Sequence, residues 1–223
     1  GPINAMSVWA HALDGISLRL VARLGEGGSG TLFEAIAPHS GHKFTVKVGA
    51  TGGAALDDTD PLVREARLGR QLRHPAWVRV HGLASLKRWG RVHTALVRDF
   101  ADGAPLPDVL VRAARLEQLL PIAAITRLGA DIAAGLCVLH ELVDEAGPVG
   151  YAHADLSPHN VMVGATGAHQ LIDLGHAAPL NPKAPIPITG KAAYLAPERR
   201  AGAPPSVAAD LYALGVTLWE CVS

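Results

Sequence analysis

Three side chains, Asp155, Asn160 and Asp173, carry the most legible chemistry in this sequence. A carboxylate such as Asp155 accepts a proton from an attacking hydroxyl, while an amide oxygen and a second carboxylate are the hard ligands that Mg²⁺ prefers. They lie in His153-Ala154-Asp155-Leu156-Ser157-Pro158-His159-Asn160 and in Asp173-Leu174-Gly175, on either side of a hairpin turn at Gly164 to Gly167. An Asx turn and a hairpin cap would use the same residue types for purely structural ends. His153 reads as a packed histidine and not as a base, because Asp155 already fills that role.

A second group lies upstream. Gly25-Glu26-Gly27-Gly28-Ser29-Gly30 spaces its glycines so that a backbone can approach phosphates unobstructed. The residues after it read as a strand and not as a helix N-terminus, which excludes a dinucleotide-binding fingerprint and suits a glycine hairpin lying over phosphates. Lys47 sits inside the apolar run Phe44-Thr45-Val46-Lys47-Val48, where a charge needs an anion. Glu65, on the next helix, is the available partner. The plainer alternative puts Lys47 on a sheet edge and Glu65 in a surface ion-pair network.

The elements that must position these groups follow from periodicity. Strands are expected over Leu18 to Leu24, Thr31 to Ala37 and Phe44 to Val48, then a loop over 49–60. Asp60 and Pro61 open a helix that runs to about Arg73, and strands follow over Val78 to Ser85 and Arg91 to Phe100. Beyond Asp102-Gly103 the pattern turns helical over Pro107 to Glu117 and Leu120 to Leu142, the latter with Ile122, Ile125, Leu128, Ile132, Leu136 and Leu139 on one stripe. Short extended segments at Val161 to Val163 and Gln170 to Ile172 precede a proline-studded loop. The last helix, Val207 to Val222, is apolar almost all round and is expected to be buried on every side.

The chain has 223 residues, 49% hydrophobic and 18% charged, enough to bury a core, which excludes a disordered tail. Twenty basic and 20 acidic residues give a net charge of +0, so broad attraction to nucleic acid or anionic membrane is not expected. The stretch Leu119 to Leu139 is interrupted by Arg127 and Asp131, so no membrane span is expected in this segment. Gly1 to Ala5, ahead of Met6, read as the remnant of a cleaved expression tag and lack signal-peptide character. Cys137 and Cys221 are expected as small buried hydrophobes of a reducing, cytoplasmic setting, with neither a disulfide nor a metal between them.

Taken in order, these motifs resemble a protein kinase domain of the bacterial, eukaryotic-like Ser/Thr type. The resemblance runs from about residue 16 to the end. It implies an α+β, bilobal fold: a small antiparallel-sheet N-lobe with one helix over 6–98, a hinge over 99–103, and a partial, mainly helical C-lobe over 104–223 that lacks its last helices. It implies ATP and Mg²⁺ as cofactors and a protein as substrate. By resemblance Leu24, Gly25, Gly27, Gly30 and Leu32 enclose the nucleotide, with Asp99 and Ala101 beside its base. Lys47 holds the phosphates and Glu65 orients Lys47. Asp155 is the catalytic base, and Asn160 and Asp173 hold the metal. Ala196-Pro197-Glu198 closes the activation loop, and Asp210 begins the helix that anchors the catalytic loop.

The departures are specific. Ala154 stands where the family has an arginine that pairs a phosphorylated loop, and the only hydroxyls between His176 and Leu195 are those of Thr189 and Tyr194, so control by loop phosphorylation is not expected. Ser157 replaces the lysine usual two residues after the base, and Lys191 is the candidate to replace its charge. Arg98 takes the gatekeeper position, where it is expected to compete with Lys47 for Glu65, and Thr45 narrows the adenine pocket. Glu198 lacks the arginine that usually pairs it. Exposure of the last helix would call for a homodimer or a partner covering Val207 to Val222. Two alternatives to a protein kinase stay open: a pseudokinase acting as a binding module, and a small-molecule phosphotransferase.

Overall fold

Up to Phe100 the described chain is mostly strand, because apolar residues in its extended segments recur at every second position, and Asp60-Pro61 imposes the one helix start there. The computed structural model describes residues 9–11, 17–27, 30–49, 60–88, 91–144 and 147–223, divided between two units. The first runs up to Arg73 and resumes over Val78–Phe100; the second comprises His74–Trp77 and Ala101–Ser223. Gly28 and Ser29 of the glycine run, and most of the 49–60 loop, lie outside the described residues.

In the first unit, strands β1 (Trp9–His11), β2 (Ser17–Gly27), β3 (Gly30–Ile36), β4 (Lys43–Val48), β5 (Val80–Arg88) and β6 (Arg91–Asp99) form a closed antiparallel barrel in the order β1-β2-β3-β4-β6-β5. The short β1, which the sequence pattern does not announce, pairs with both β2 and β5 and so removes the open edges. Alternation then sorts the side chains. Leu18, Phe33, Phe44, Val46, Leu86 and Val97 share one buried cluster. The intervening Leu96 of β6 instead packs with Leu62 and Ala66 of helix α1 (Pro61–Gly69). Lys47 and Arg98 share the parity of Leu96, each standing one position from an interior residue, Val46 in β4 and Val97 in β6, and this is what turns them toward the helix. Asp60 caps α1 by accepting from the Leu62 N–H at 2.8 Å, worth about 1 kcal/mol.

The second unit is built on helix α3 (Ile122–His140), with β7 (Ala104–Pro105) and α2 (Leu106–Arg115) before it. After it come β8 (Val143–Asp144), β9 (Gly147–Pro148), β10 (Tyr151–Ala152), a 3-10 turn at Pro158–Asn160, β11 (Val161–Val163), β12 (His169–Leu171) and β13 (Ala178–Pro179). A second 3-10 turn at Ala192–Tyr194 leads to α4 (Pro197–Arg200) and α5 (Val207–Val222). Strands β12, β11 and β7 form a three-stranded sheet, and β10 pairs with β13. α3 is the one helix among the described residues long and apolar enough to cross a membrane by length and composition. It buries Ile125, Leu128, Ile132, Leu136 and Leu139 in its own unit and carries an Arg127–Asp131 ion pair at 2.7 Å.

Three expectations are corrected here. α5 is not buried all round: it packs one face, with Ala213, Leu214, Thr217 and Cys221, and leaves Leu211, Tyr212, Val222 and Trp219 exposed, the last to 64%. Its apolar residues exceed what one packed face holds, and among the described residues α3 and the 192–194 turn are its main neighbours. Cys137 is exposed, on the side of α3 away from the stripe, whereas Cys221 is buried. Ile122, at the helix start, is exposed although it continues the stripe.

Candidate active site

The site residues of the first unit centre on a buried ion-pair triad. Glu65, 1% exposed, accepts from Lys47 Nζ on Oε2 at 2.8 Å and from Arg98 Nη1 on Oε1 at 3.3 Å. The sequence reading sets Arg98 and Lys47 in competition; instead each takes one oxygen of the same carboxylate. The geometry follows from register: Leu32 faces Lys47, Lys47 faces Leu96 and Thr45 faces Arg98, so both cations project from neighbouring strands onto one turn of α1. Such pairs have to be this close, because a buried charge without its partner costs several kcal/mol.

The glycine hairpin has two different reasons for its composition. Gly30 has φ +135°, and a Cβ there would lie 2.1 Å from the Val48 carbonyl oxygen, so the fold itself requires glycine. Gly25, paired with Leu32, has nothing within 4 Å of a Cβ among the described residues. Gly27 closes the hairpin opposite Gly30. Leu24 is exposed and Leu32 half-buried beside it. Asp99 ends β6 with its main-chain N–H bonded to the Arg79 carbonyl, and its carboxylate lies 2.7 Å from His81 Nε2 and 3.5 Å from His42 Nε2. Ala101 belongs to the other unit and is half-buried.

In the second unit the loop 153–160 hangs from α5. Asp210 Oδ2 accepts from the His153 N–H at 2.7 Å and Oδ1 from the Ala154 N–H at 3.0 Å, while His140 Nε2 lies 2.8 Å from Oδ2. These bonds hold Ala154 at φ +62°, a left-handed conformation uncommon outside glycine and asparagine. His153 is buried, stacked on Trp77 with ring centroids 6.0 Å apart, and its Nδ1 lies 3.4 Å from the Asp155 N–H. Burial holds its imidazole below the ordinary value, against the pull of Asp210, Asp173 and Asp155. A packed ring is what the sequence reading expects.

Asp155 is presented differently. Asn160 Nδ2 donates to its main-chain carbonyl at 2.7 Å and reaches Oδ2 at 3.4 Å, and Lys191 Nζ stands 3.7 Å from Oδ2. Oδ1 is buried with no hydrogen-bond partner among the described residues. Gly190, at φ +99°, lies against it: a Cβ there would stand 3.0 Å from the Ala154 carbonyl oxygen and 3.3 Å from Asp155 Oδ1. Lys191 Nζ also donates to the buried Ser157 Oγ at 3.1 Å. Asn160 spends its nitrogen on Asp155, which leaves its oxygen as the atom it could offer a cation, and Asp173 Oδ1 accepts from the Gly175 N–H at 2.8 Å. A small open hollow beside Asp155 is lined in part by Lys191, Tyr194, Leu195, Pro205 and Ala209.

An amide oxygen at Asn160 and a carboxylate at Asp173 are hard donors of the kind a divalent cation takes. Among the described residues no three His, Cys, Asp or Glu side chains gather into a metal cage, and Mg²⁺ is the cation that takes one or two carboxylates and completes its shell with phosphate and water. Two residues escaped the sequence reading. Arg199 is buried and donates to the Ala203 and Pro187 carbonyls, and Arg200 is exposed and donates to Leu195 and Ala192. Their partners are main-chain carbonyls, which no residue pattern announces. Glu198, between them and the loop, is exposed and has no ion pair among the described residues.

Comparison with known proteins identifies the family. The family model described as protein kinase domain matches residues 18–223. The serine/threonine-protein kinase PknA of Mycobacterium tuberculosis is 31% identical over 211 residues, covering 92% of this chain and 46% of that protein. The tyrosine-protein kinase MasK of Myxococcus xanthus is 31% identical over 164 residues, 71% of this chain and 25% of that protein. The serine/threonine-protein kinase PknB of Mycobacterium leprae is 27% identical over 164 residues, 72% and 25% respectively. The chain thus spans half or less of the length of these relatives.

Proposed function

The chain belongs to the protein kinase domain family, and from that premise we propose that it transfers the γ-phosphoryl group of ATP to Ser or Thr hydroxyls of proteins. The observation that carries this reading is Asp155: a buried carboxylate oxygen without a partner among the described residues, beside a lysine and a metal-competent amide. In the first unit Lys47, held by Glu65, binds the phosphates. Gly25, Gly27 and Gly30 cover them, Leu24 and Leu32 flank the base, and the main chain at Asp99 and Ala101 reads its edge. In the second unit Asp155 Oδ1 accepts the hydroxyl proton as the acceptor oxygen bonds to the γ-phosphorus and the bond to the β–γ bridging oxygen breaks, releasing ADP. Asn160 and Asp173 would hold Mg²⁺, which when bound neutralises charge on the phosphates. Lys191 supplies the positive charge that Ser157 does not.

Serine and threonine are preferred as acceptors because PknA and PknB carry that description and the Leu-Ser-Pro-His-Asn loop lacks an arginine. The exposed face of α5 suits a second copy of the chain or a partner covering Leu211, Tyr212 and Trp219. The free cysteines fit a cytoplasmic setting.

Calorimetric titration with a non-hydrolysable ATP analogue, with and without Mg²⁺, tests the assignment. Binding that needs Mg²⁺ and weakens in Asp173→Asn and Lys47→Met is the expected result, and Asp155→Asn should abolish transfer to a protein while leaving that binding intact. A pseudokinase is the second reading, favoured by one observation, the Arg98 guanidinium in the gatekeeper position on Glu65. Binding without turnover would select it. Transfer to small hydroxylated compounds in preference to proteins would select a small-molecule phosphotransferase.

A further inference from the structure

The segment from Pro187 to Ala196 carries Lys191 to Asp155, and it does so with little secondary structure of its own. Between Pro179 and α4 the described backbone has only the 3-10 turn Ala192–Tyr194, closed by the Tyr194 N–H to the Lys191 carbonyl at 3.0 Å and the Leu195 N–H to the Ala192 carbonyl at 3.4 Å. A single such turn is marginal without further partners. Its carbonyls find them in Arg200, whose Nη2 donates to the Ala192 oxygen at 2.8 Å and whose Nε donates to the Leu195 oxygen at 3.0 Å. One planar guanidinium therefore spans both ends of the turn. On the other side the Tyr194 hydroxyl donates to Glu220 Oε1 at 2.7 Å, which occupies one of the segment's two hydroxyls.

We propose that Arg200 is a positioning residue: by clamping the 192–194 turn it holds Lys191, the residue capping that turn, against Ser157 and Asp155. Lys191 is a flexible four-carbon stem whose side chain is 41% exposed, so its ammonium stays near Asp155 only if its backbone is fixed. The two donors of Arg200 fix it without any phosphate, in a chain that has Ala154 where a phosphate-binding arginine would stand. Arg199 holds the upstream end through Pro187, but it is buried, so its removal would disturb the core. Arg200 is exposed and can be removed cleanly.

This inference rests on the kinase reading for its catalytic consequence and on the structure alone for the clamp, and its test separates the two. Arg200→Ala and Arg200→Lys are made in the full chain, alone and with Lys191→Met, after urea unfolding has shown unchanged stability. Amide hydrogen exchange at Tyr194 and Leu195 is read first, and about a tenfold rise in Arg200→Ala is expected, as for a turn that opens locally. Phosphoryl transfer to a generic protein substrate is read second. It should fall about tenfold in kcat with the KM for ATP unchanged, because a small misplacement of a reacting-site group has effects of that size. Added guanidinium should restore part of the loss, and Arg200→Ala should cost nothing more once Lys191 is Met. Unchanged exchange, or an equal loss in both Lys191 backgrounds, overturns the proposal. If the wild-type chain transfers nothing, the kinase reading fails, and the exchange result still decides whether Arg200 clamps the turn.

Discussion

Among the described residues each unit buries one acidic side chain, Glu65 and Asp210, and the two are satisfied in opposite ways. Glu65 is held by two long cationic side chains, Lys47 at 2.8 Å and Arg98 at 3.3 Å. Asp210 is held by two main-chain N–H groups and one histidine ring, at 2.7, 3.0 and 2.8 Å. A carboxylate shared between side chains fixes side chains: it sets where Lys47 points and can be rearranged one partner at a time. A carboxylate bonded to successive backbone amides fixes the backbone itself, and Asp210 uses that to hold Ala154 in a conformation it would otherwise avoid. The first unit thus presents an adjustable cation, and the second a preset loop.

The largest expected effect breaks the second arrangement. Asp210→Ala leaves two buried N–H donors and His140 without their acceptor and should destabilise the chain by about 3–5 kcal/mol, the range for breaking a buried charged network. Asp210→Asn keeps the shape and one good acceptor and should cost clearly less. Urea unfolding of the two variants makes the check, and equal losses would show that shape and not charge anchors the loop. In the first unit the corresponding change is Glu65→Gln, which leaves Lys47 and Arg98 facing each other across a neutral amide. It should cost about 2–3 kcal/mol, and less once Arg98→Met has removed the second cation, so a double-mutant cycle should give a coupling of about 1 kcal/mol or more. Additivity in that cycle would mean that the Arg98 contact carries no weight.

The comparison also explains what the sequence could disclose. Lys47, Glu65 and Arg98 were legible because a charge inside an apolar strand is an exception that demands a partner, and periodicity put both strands beside one helix. What periodicity does not state is how one carboxylate is divided, so from the sequence sharing looks like competition. Asp155, Asn160 and Asp173 were legible from type and spacing. Arg199 and Arg200 were not, because carbonyl acceptors belong to every residue alike and only the fold decides which ones are left bare. The exposed face of α5 misled for a related reason: composition says how much apolar surface a helix has, and its neighbours decide how much of it is covered.

A smaller effect sharpens the contrast through pH. His153 Nδ1 accepts from the Asp155 N–H, which places the ring proton on Nε2, a buried atom with no partner among the described residues. A proton added on Nδ1 would break that bond and create a charge between Trp77 and the loop, and burial accordingly outweighs the attraction of Asp210, Asp173 and Asp155. The imidazole is lowered in the folded chain, so below the ordinary imidazole value of about 6.5 the unfolded chain binds the extra proton and the folded one resists it. Stability is therefore full above that value and is lost as pH falls below it, by up to about 1.4 kcal/mol per pH unit until the folded-state value is reached. His153→Phe, which keeps a ring against Trp77, should flatten this slope in urea unfolding between pH 5 and 7. A slope unchanged by the substitution would assign the acid sensitivity to the carboxylates.

The smallest effect concerns Ala154, where two terms oppose each other. Its φ of +62° costs an alanine about 1–2 kcal/mol relative to glycine. Glycine in turn releases unfolded-chain entropy worth about 0.4–1 kcal/mol, which works against the folded state. Ala154→Gly should therefore stabilise by about 0.5 kcal/mol, read as a shift of the urea midpoint without a change in slope. Because the Asp210 bonds are what impose the conformation, the same substitution in Asp210→Asn should gain less, the loop there being able to relax on its own. A loss of stability from Ala154→Gly in the native background would mean that the Ala154 methyl group packs to advantage, and that the loop is held by contact more than by the main-chain bonds to Asp210.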